Sequence, residues 1–446
     1  MRDLSFLCVL ALVATPPAAA QTPLPARVTL DEALARAAAN SHRLGELRAR
    51  ESAAGAVLEQ RRAADLPIVS AQAGYLRTNH VDEFGFVQNG QLQVLYPDVP
   101  DNWRARLDMQ WPIYTGGRTK ALEQAATAER SATGKELESA RADLRLETTR
   151  AFWGLVTATE AVSVVEESVT RIAAQLGDVR ARFDAGFLPP NDVLTVETRV
   201  ASQRTLLIQA KNQRDGARAE LARLMGVPVD ASFEVDAVLV DSPPNPTQPD
   251  PTRPNLTQPD PTRPNLERAD REALALRVEA AESRIEAARA ETKPSIALVA
   301  GYDYARPNPR IFPRKDAWED SWDVGVNVIV TLWNGGRTAA QVAEARHQAE
   351  AARERLAEAD SQIALDVRQR QLDLLSTRSQ VETATAAVRS ATEARRVVAE
   401  RFTAGVATST DLLDAQVDQL QAELERTRAL ANVKLTEARL ARALGN

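Results

Sequence analysis

Four segments of the chain alternate between apolar and polar residues, which is the pattern of β-strands that present two different faces. In residues 102–114, Trp103 and Trp111 fall on the apolar face, whereas Arg104 and Arg106 fall on the opposite one. Each segment has the length of about ten residues that a tilted strand needs to cross the hydrocarbon of a bilayer. A small soluble sheet packed on helices is the alternative. The predicted strands are 67–77, 102–114, 294–304 and 321–333.

The remaining long stretches have the period of helices. No proline interrupts residues 118–185 or 337–404, where apolar residues recur at intervals of three and four. A helix of that length would reach about 100 Å. A filament-like or spectrin-like bundle would account for such helices, but it has no use for the strands between them. The predicted helices are 29–65, 118–185, 191–226, 267–292, 337–404 and 409–444.

The same order of elements occurs twice along the chain. Gly-Gly-Arg-Thr stands at 116–119 and 335–338, and Arg-Phe-x-Ala-Gly stands at 182–186 and 401–405, in both cases 219 positions apart. Each half reads as a helix, two strands, a Gly-Gly turn, a very long helix, a glycine tip and a second long helix. We predict a first structural repeat at 21–226 and a second at 267–446. The glycines of the strand-to-helix turns are Gly116, Gly117, Gly335 and Gly336.

A proline-rich segment separates the two repeats. The decapeptide TQPDPTRPNL occurs in perfect tandem at 247–256 and 257–266. Such a stretch cannot continue a helix or a central strand, so residues 227–266 are predicted to form an extended linker at the equator of the molecule. A proline-rich recognition motif is the alternative.

The N-terminus has the three parts of a secretory signal. Arg2 is followed by an apolar run at 4–13 and by three alanines at 18–20. We expect residues 1–20 to be removed, because the apolar run is too short to span a membrane as a helix. A buried helix or an anchor is the alternative. Cys8 lies within this signal, so the mature chain is expected to contain no disulfide.

Four strands in a membrane require more than one copy of the chain. An open sheet edge in lipid leaves backbone amides and carbonyls unpaired, at a cost of several kcal/mol for each group. Spanning barrels begin at about eight strands. Two copies would give eight strands and a filled interior, whereas three would give twelve and begin to leave a lumen.

Composition excludes several functions. The formal net charge of −6 gives no reason to expect nucleic acid as a partner. The histidines, His42, His80 and His347, are scattered, so we expect no metal and no other cofactor. The Gly-Gly-Arg segments could bind phosphate at a helix start, but a tight turn explains them better. Two carboxylates in one helical turn without an aromatic sugar platform do not make a glycosidase, and we expect no enzymatic activity.

These features together resemble the TolC-like outer membrane efflux proteins, the outer membrane factors of tripartite efflux and type I secretion systems. The resemblance covers about 28–444 apart from the proline-rich insert, and it rests on the signal, the duplicated halves and the Arg-Phe-x-Ala-Gly tips. It implies a mainly α protein with a membrane β part. The long coiled-coil helices would form an α-barrel, and four strands from each protomer of a homotrimer would form a 12-stranded β-barrel. The loops near 78–101 and 305–320 would face outside the cell.

The resemblance also assigns roles to residues at the two tips. Asp411 and Asp414 would line a periplasmic gate, with Asp192 at a neighbouring acidic position. Asp411 could instead serve only as a helix cap, and Asp414 could lie on a simple solvated face. Thr195 stands where the second repeat has Asp414. The residues expected to contact a periplasmic adaptor are Arg182, Gly186, Phe187, Leu188, Arg401, Gly405, Val406 and Ala407.

The sequence therefore predicts a passive exit duct in the outer membrane of a Gram-negative-type bacterium, with a tunnel that extends into the periplasm. Its partners would be other copies of itself, outer membrane lipid, a periplasmic adaptor (membrane fusion) protein and an inner-membrane transporter. The transporter could be a resistance-nodulation-division or an ABC pump. A periplasmic coiled-coil scaffold without a pore is the first alternative, and a surface adhesin is the second.

Overall fold

The computed structural model describes residues 26–88, 90–239 and 268–445. The predicted signal peptide at 1–20 and the tandem proline-rich decapeptides lie outside the described residues. The elements in chain order are β1 (Arg27–Val28), α1 (Leu30–Asn40), α2 (His42–Ala63), β2 (Ile68–Arg77), β3 (Phe84–Gln88), β4 (Gln91–Tyr96), β5 (Asp101–Tyr114), α3 (Arg118–Asp184), α4 (Pro190–Met225), β6 (Glu234–Val235), α5 (Ala269–Arg289), a 3₁₀ turn (Ala290–Thr292), β7 (Ser295–Arg306), β8 (Glu319–Ile329), α6 (Arg337–Thr403) and α7 (Ser409–Ala443).

The four longest strands form one antiparallel sheet with the order β2-β5-β7-β8. In the register, Ala71 lies opposite Leu107, Leu107 opposite Tyr302, and Tyr302 opposite Trp322. Each repeat therefore supplies two neighbouring strands, and β5 pairs with β7 across the junction between them. Within the described part of the chain, β2 and β8 form the edges of this sheet.

The two faces of the sheet differ in chemistry, as strict alternation requires. One face carries exposed apolar side chains, such as Leu107, Trp111 and Val324. The opposite face carries arginines and aspartates from β5, β7 and β8. A sheet that leaves large apolar side chains exposed on one face needs a partner of the same polarity.

The helical part is built from two very long helices and their shorter partners. The helices α3 and α6 each have 67 residues, which corresponds to about 100 Å at 1.5 Å per residue. Small side chains on α3, such as Ala121, Ala125 and Ala128, are buried at intervals of three and four. Alanine at this spacing allows neighbouring helices to approach closely. Among the described residues, no helix is both long and apolar enough to cross a membrane.

The largest apolar core lies near the middle of the molecule. It joins Leu44 of α2, Phe152 of α3 and Met225 of α4 with Val28 and Phe233 from the short segments around them. The strands β1 and β6 pair in parallel beside this core. The segment predicted as an extended linker over 227–266 contains the short strand Glu234–Val235 near its start.

Three further differences from the predictions are larger than a shift of two or three residues at an element's end. The single helix expected at 29–65 is interrupted at Ser41, whose extended backbone (φ −67°, ψ 116°) ends α1 and whose hydroxyl caps α2. The expected loop at 78–101 contains the hairpin of β3 and β4. The last strand runs over Glu319–Ile329 and not over 321–333. Sequence alternation continues to Leu332, but backbone pairing with β7 stops at Ile329.

Candidate functional site: the paired hairpin tips

The first tip reverses the chain between α3 and α4 through a glycine. Gly186 has a left-handed backbone (φ 81°) that side chains other than glycine rarely adopt. Its N–H donates to the Phe183 carbonyl at 2.8 Å, and the Phe187 N–H donates to the Arg182 carbonyl at 2.9 Å. These two bonds are the Schellman motif, which satisfies the last carbonyls of the helix.

The second tip has the same geometry. Gly405 has a φ of 76°, its N–H donates to the Phe402 carbonyl at 3.1 Å, and the Val406 N–H donates to the Arg401 carbonyl at 2.9 Å. The chain therefore places two equivalent turns at the same end of the helical part. Arg182 and Arg401 occupy matching positions two residues before the last residue of each helix.

Each tip exposes one apolar side chain and packs the next apolar residue inward. Phe187 is 81% exposed and Val406 is 64% exposed. Leu188 and Ala407, in contrast, pack against a shared core between the tips. Exposed apolar residues at a turn, beside arginines, form a surface that suits contact with another protein.

One apolar cluster holds the two tips together. It contains residues from all four helices that end or begin there: Ile172, Val179, Val196, Val200, Phe402, Leu412 and Leu413. Arg182 links the tips directly. Its Nη1 donates to the Phe402 carbonyl at 3.1 Å, and its guanidinium lies over the Phe402 ring, 4.6 Å from the centroid.

Asp411 has the capping role that the sequence left open as one alternative. Its N–H donates to the Thr408 hydroxyl at 3.1 Å, and its carboxylate accepts from the Thr408 N–H at 2.8 Å. This reciprocal pair is a capping box at the start of α7. The backbone N–H of Thr408, then its side chain, lower the pKa of the Asp411 carboxyl below its ordinary value of 3.8, and Arg401 acts in the same direction.

Asp414 lies one turn further along α7, and its carboxylate is largely exposed. Its Oδ1 lies 3.6 Å from Nη2 of Arg199 on α4. Asp418, which the sequence analysis did not single out, is also exposed and follows at i+4 from Asp414. The i, i+3, i+7 spacing of Asp411, Asp414 and Asp418 places them on one helix face. This spacing was the signal by which the sequence could have revealed Asp418.

The first repeat lacks this row of acids. Asp192 is the third residue of α4 and matches Asp411, but Pro189 precedes the helix and offers no side-chain cap. Thr195 follows at the place of Asp414, and its hydroxyl donates to the Asn191 carbonyl at 2.9 Å. Arg199 stands 219 positions before Asp418 and carries the opposite charge. The row of three exposed acids therefore occurs on α7 and has no counterpart on α4.

The strand-to-helix turns lie at the other end of α3 and α6. Gly117 (φ 89°) and Gly336 (φ 86°) are the residues before each helix, and both are left-handed. Gly116 and Gly335 are left-handed as well. At Gly116 a Cβ would lie 2.7 Å from the Lys293 Cβ, so glycine is also required for space. These four glycines redirect the chain from the sheet into the helices.

No group of three metal-ligating side chains occurs within 26–88, 90–239 and 268–445.

The structure brings the predicted tip residues together as two adjacent turns. The turn glycines lie far from them, at the junctions of sheet and helices.

Comparison with known proteins agrees with this architecture. A sequence model of the outer membrane efflux protein family matches residues 33–227 and 265–446. Protein CyaE of Bordetella pertussis is 25% identical over 334 residues, which cover 72% of this chain and 68% of that protein.

Solved structures share the fold at lower identity. The outer membrane protein VceC of Vibrio cholerae superposes with a TM-score of 0.78 at 20% identity, covering 94% of this chain and 96% of that one. The open state of the Neisseria gonorrhoeae MtrE outer membrane channel gives 0.75 at 19% identity, covering 94% and 89%. The chain belongs to the outer membrane efflux protein family, and it is a TolC-like transport protein of the outer membrane whose helical part extends into the periplasm.

Proposed function

We propose that this protein is the outer membrane exit duct of a tripartite efflux pump or a type I secretion system. It passes small molecules or proteins that an inner-membrane transporter and a periplasmic adaptor deliver. The duct is passive and performs no chemical step, so the energy for export comes from the transporter.

The observation that carries this proposal is the two-faced sheet attached to helices of about 100 Å. An apolar face suits lipid, an opposite charged face suits a water-filled lumen, and the helices are long enough to bridge a compartment. The match to the family over both halves of the chain supports the same conclusion. A coiled-coil scaffold without a pore would have no use for such a sheet.

The edges of the sheet support assembly as a homotrimer. In lipid, the unpaired backbone of β2 and β8 would each need a partner strand. Pairing β8 of one copy with β2 of the next closes a ring, and three copies of four strands give a 12-stranded barrel. Two copies would close at eight strands, which leaves an interior filled by side chains and not a lumen.

The tips support docking of an adaptor at the periplasmic end. Phe187 and Val406 are exposed apolar anchors, and the arginines Arg182 and Arg401 stand beside them. The glycine turns hold this surface rigid, because both Schellman motifs fix the backbone. Leu188 and Ala407 contribute by supporting the turns from within, and not as exposed contacts.

The acidic face of α7 supports a gate near the same end. Threefold symmetry would bring Asp411, Asp414 and Asp418 of each copy around one opening, and rings of carboxylates favour cations. Because the carboxylate of Asp411 also caps α7, loss of its negative charge would weaken the first turn of that helix. Asp192 would contribute from the neighbouring hairpin. Opening requires the tip helices to move apart as rigid elements.

Conductance measurements test the duct and its gate. The purified protein is expected to migrate as a heat-modifiable trimer and to form channels in planar bilayers. The double variant Asp411→Ala/Asp414→Ala should raise single-channel conductance or reduce block by divalent cations. Asp215→Ala removes an exposed carboxylate from α4 far along the helix and serves as the control. A protein that is extracted as a soluble coiled coil without conductance would support the scaffold and contradict the duct.

A further inference from the structure

The charged face of the sheet contains a connected network of arginines and aspartates near its outer end. At its centre is Asp303 of β7, whose side chain is only 2% exposed. Arg104 donates Nε and Nη2 to the two carboxylate oxygens of Asp303 at 2.5 and 2.8 Å, and Arg106 donates Nη1 to Oδ2 at 2.5 Å. This buried carboxylate therefore holds two guanidinium groups from the neighbouring strand β5.

The network continues along and across the sheet. Arg106 donates Nε to Asp108 Oδ1 at 2.6 Å, and its Nη2 lies 3.5 Å from Asp323 Oδ1 on β8. Gly301, which lies between Asp108 and Asp323 in the register, makes this reach possible. A Cβ on Gly301 would lie 2.5 Å from Arg106 Nη2 and 2.8 Å from Asp323 Oδ1.

The loop after β7 folds back over the same face. The Asn308 amide donates to the Ser321 hydroxyl at 3.1 Å, and Arg310 Nη1 lies 2.7 Å from Asp323 Oδ1. Ser321 lies opposite Asp303 in the register, so Asn308 and Arg310 of the loop contact the charged face. We call the six charged residues Arg104, Arg106, Asp108, Asp303, Arg310 and Asp323 the ionic collar.

The formal charges of the ionic collar cancel. Its three arginines carry +3 and its three aspartates carry −3. In a pore, rings of fixed charge decide which ions pass. A collar whose charges are paired within the wall presents no net ring to the solution. At the tips, in contrast, Asp411, Asp414 and Asp418 are exposed to solvent, and Asp414 is paired with Arg199 at 3.6 Å.

From this arrangement we propose that the ionic collar keeps the outer half of the duct unselective for charge, and that Asp303 is the residue that maintains this balance. The inference rests on the proposed duct, because it requires the charged face to line the lumen. Selectivity is then decided at the acidic tips alone. Loss of one collar charge in each copy of a trimer would create a ring of three unbalanced charges in the outer lumen.

Two variants with opposite charge changes test the proposal. Asp303→Asn leaves +1 in each collar and is expected to lower the permeability ratio of K⁺ to Cl⁻ by about twofold or more. Arg104→Gln leaves −1 and is expected to raise the ratio. Both shifts should shrink in about 1 M salt, where the screening length falls to about 3 Å. Reversal potentials of the full-length protein in planar bilayers under a KCl gradient give the ratio.

Asp316→Asn is the matched control. Asp316 accepts the same two-bond fork from Arg306 at 2.7 and 3.0 Å, but Arg306 lies opposite Trp103 and so belongs to the apolar side of the sheet. This variant should leave the permeability ratio unchanged. If Asp303→Asn fails to assemble, Arg104→Gln still tests the proposal, because Arg106 continues to pair with Asp303.

The outcomes separate the collar from the duct. Opposite shifts in the two collar variants, with no shift in the control, support the proposal. If the wild-type protein forms channels but neither collar variant changes the permeability ratio of K⁺ to Cl⁻, the proposal about the ionic collar is contradicted. The proposed duct is then unaffected. A wild-type protein that forms no channels would overturn both.

Discussion

The guanidinium of Arg182 in the first hairpin lies over the ring of Phe402 in the second, 4.6 Å from its centroid, and donates to its carbonyl oxygen at 3.1 Å. This side chain thereby connects the ends of α3 and α6 through two residues that are 220 positions apart in sequence. Movement of one tip away from the other must break both contacts. Arg182 is therefore positioned to oppose separation of the tips.

Replacing Arg182 with Ala is expected to favour the open duct. The two lost contacts are together worth about 2–4 kcal/mol, from about 0.5–1 for a cation–π contact and about 1.5–3 for a hydrogen bond from a charged donor. Single-channel recording of the purified protein without an adaptor should show larger conductance or longer openings. Arg180→Ala is the control, because Arg180 pairs with Glu197 inside the first hairpin only. Equal effects of both variants would contradict a specific role for Arg182.

The capping box of α7 should weaken in acid. The folded-state pKa of Asp411 lies below 3.8, so its contribution to stability is complete above that value and is lost as the pH falls through the lower, folded-state value. Amide exchange of the segment around Thr408 should therefore show greater opening at about pH 2.5 than at about pH 5, after correction for intrinsic rates. Asp411→Asn should remove this pH dependence. A wild-type segment whose corrected opening does not change with pH would contradict it.

The exposed anchors of the tips should lie against another protein in the cell. A photo-crosslinking residue at Phe187 or Val406 is expected to form an adduct with a periplasmic adaptor that mass spectrometry identifies. The same residue at Val229, which is exposed near the middle of the molecule, is the control. Adducts at the control position but not at the tips would place the adaptor elsewhere.

The left-handed turn before α6 should be destabilised by any side chain at Gly336. Gly336 has a φ of 86° with open space around it, so Gly336→Ala is expected to cost about 1–2 kcal/mol through backbone strain alone. Gly154 lies within α3, also in open space, and Gly154→Ala should instead stabilise the protein by about 0.5–1 kcal/mol. The midpoint temperature of trimer dissociation measures both. If the midpoint temperature decreased equally in both variants, the left-handed backbone of Gly336 would not be the cause of the loss of stability.

Local pattern was enough to anticipate much of this structure. The strand expected at 67–77 is observed at Ile68–Arg77, because period-two alternation is a property of the strand itself. The break at Ser41 was missed because serine is compatible with both a helix interior and a cap, and only its backbone decides between them. The hairpin of β3 and β4 was missed although the sequence carries a signal for it, because Asn-Gly stands at 89–90 between the two runs that form these strands.

In the candidate sites, too, the local features were predicted and the contacts between the repeats were not. The glycine tips were found from a repeated motif, and their Schellman bonds are local. The contact of Arg182 with Phe402 and the pairing of Arg104 with Asp303 join residues from different repeats. Such contacts depend on how helices and strands pack, and no pattern in one repeat specifies them. Asp303 gave only a weak signal, as the acid on a face otherwise made of small and apolar residues.

The unpaired edges of β2 and β8 have a genetic consequence. If each barrel closes by pairing β8 of one copy with β2 of the next, one copy with a defective edge prevents closure of the whole barrel. In a cell that makes intact and edge-defective chains in equal amounts, roughly one three-copy ring in eight would contain intact copies only. Mutations in these two strands should therefore be dominant over the wild-type allele, whereas mutations that abolish synthesis of the chain should be recessive.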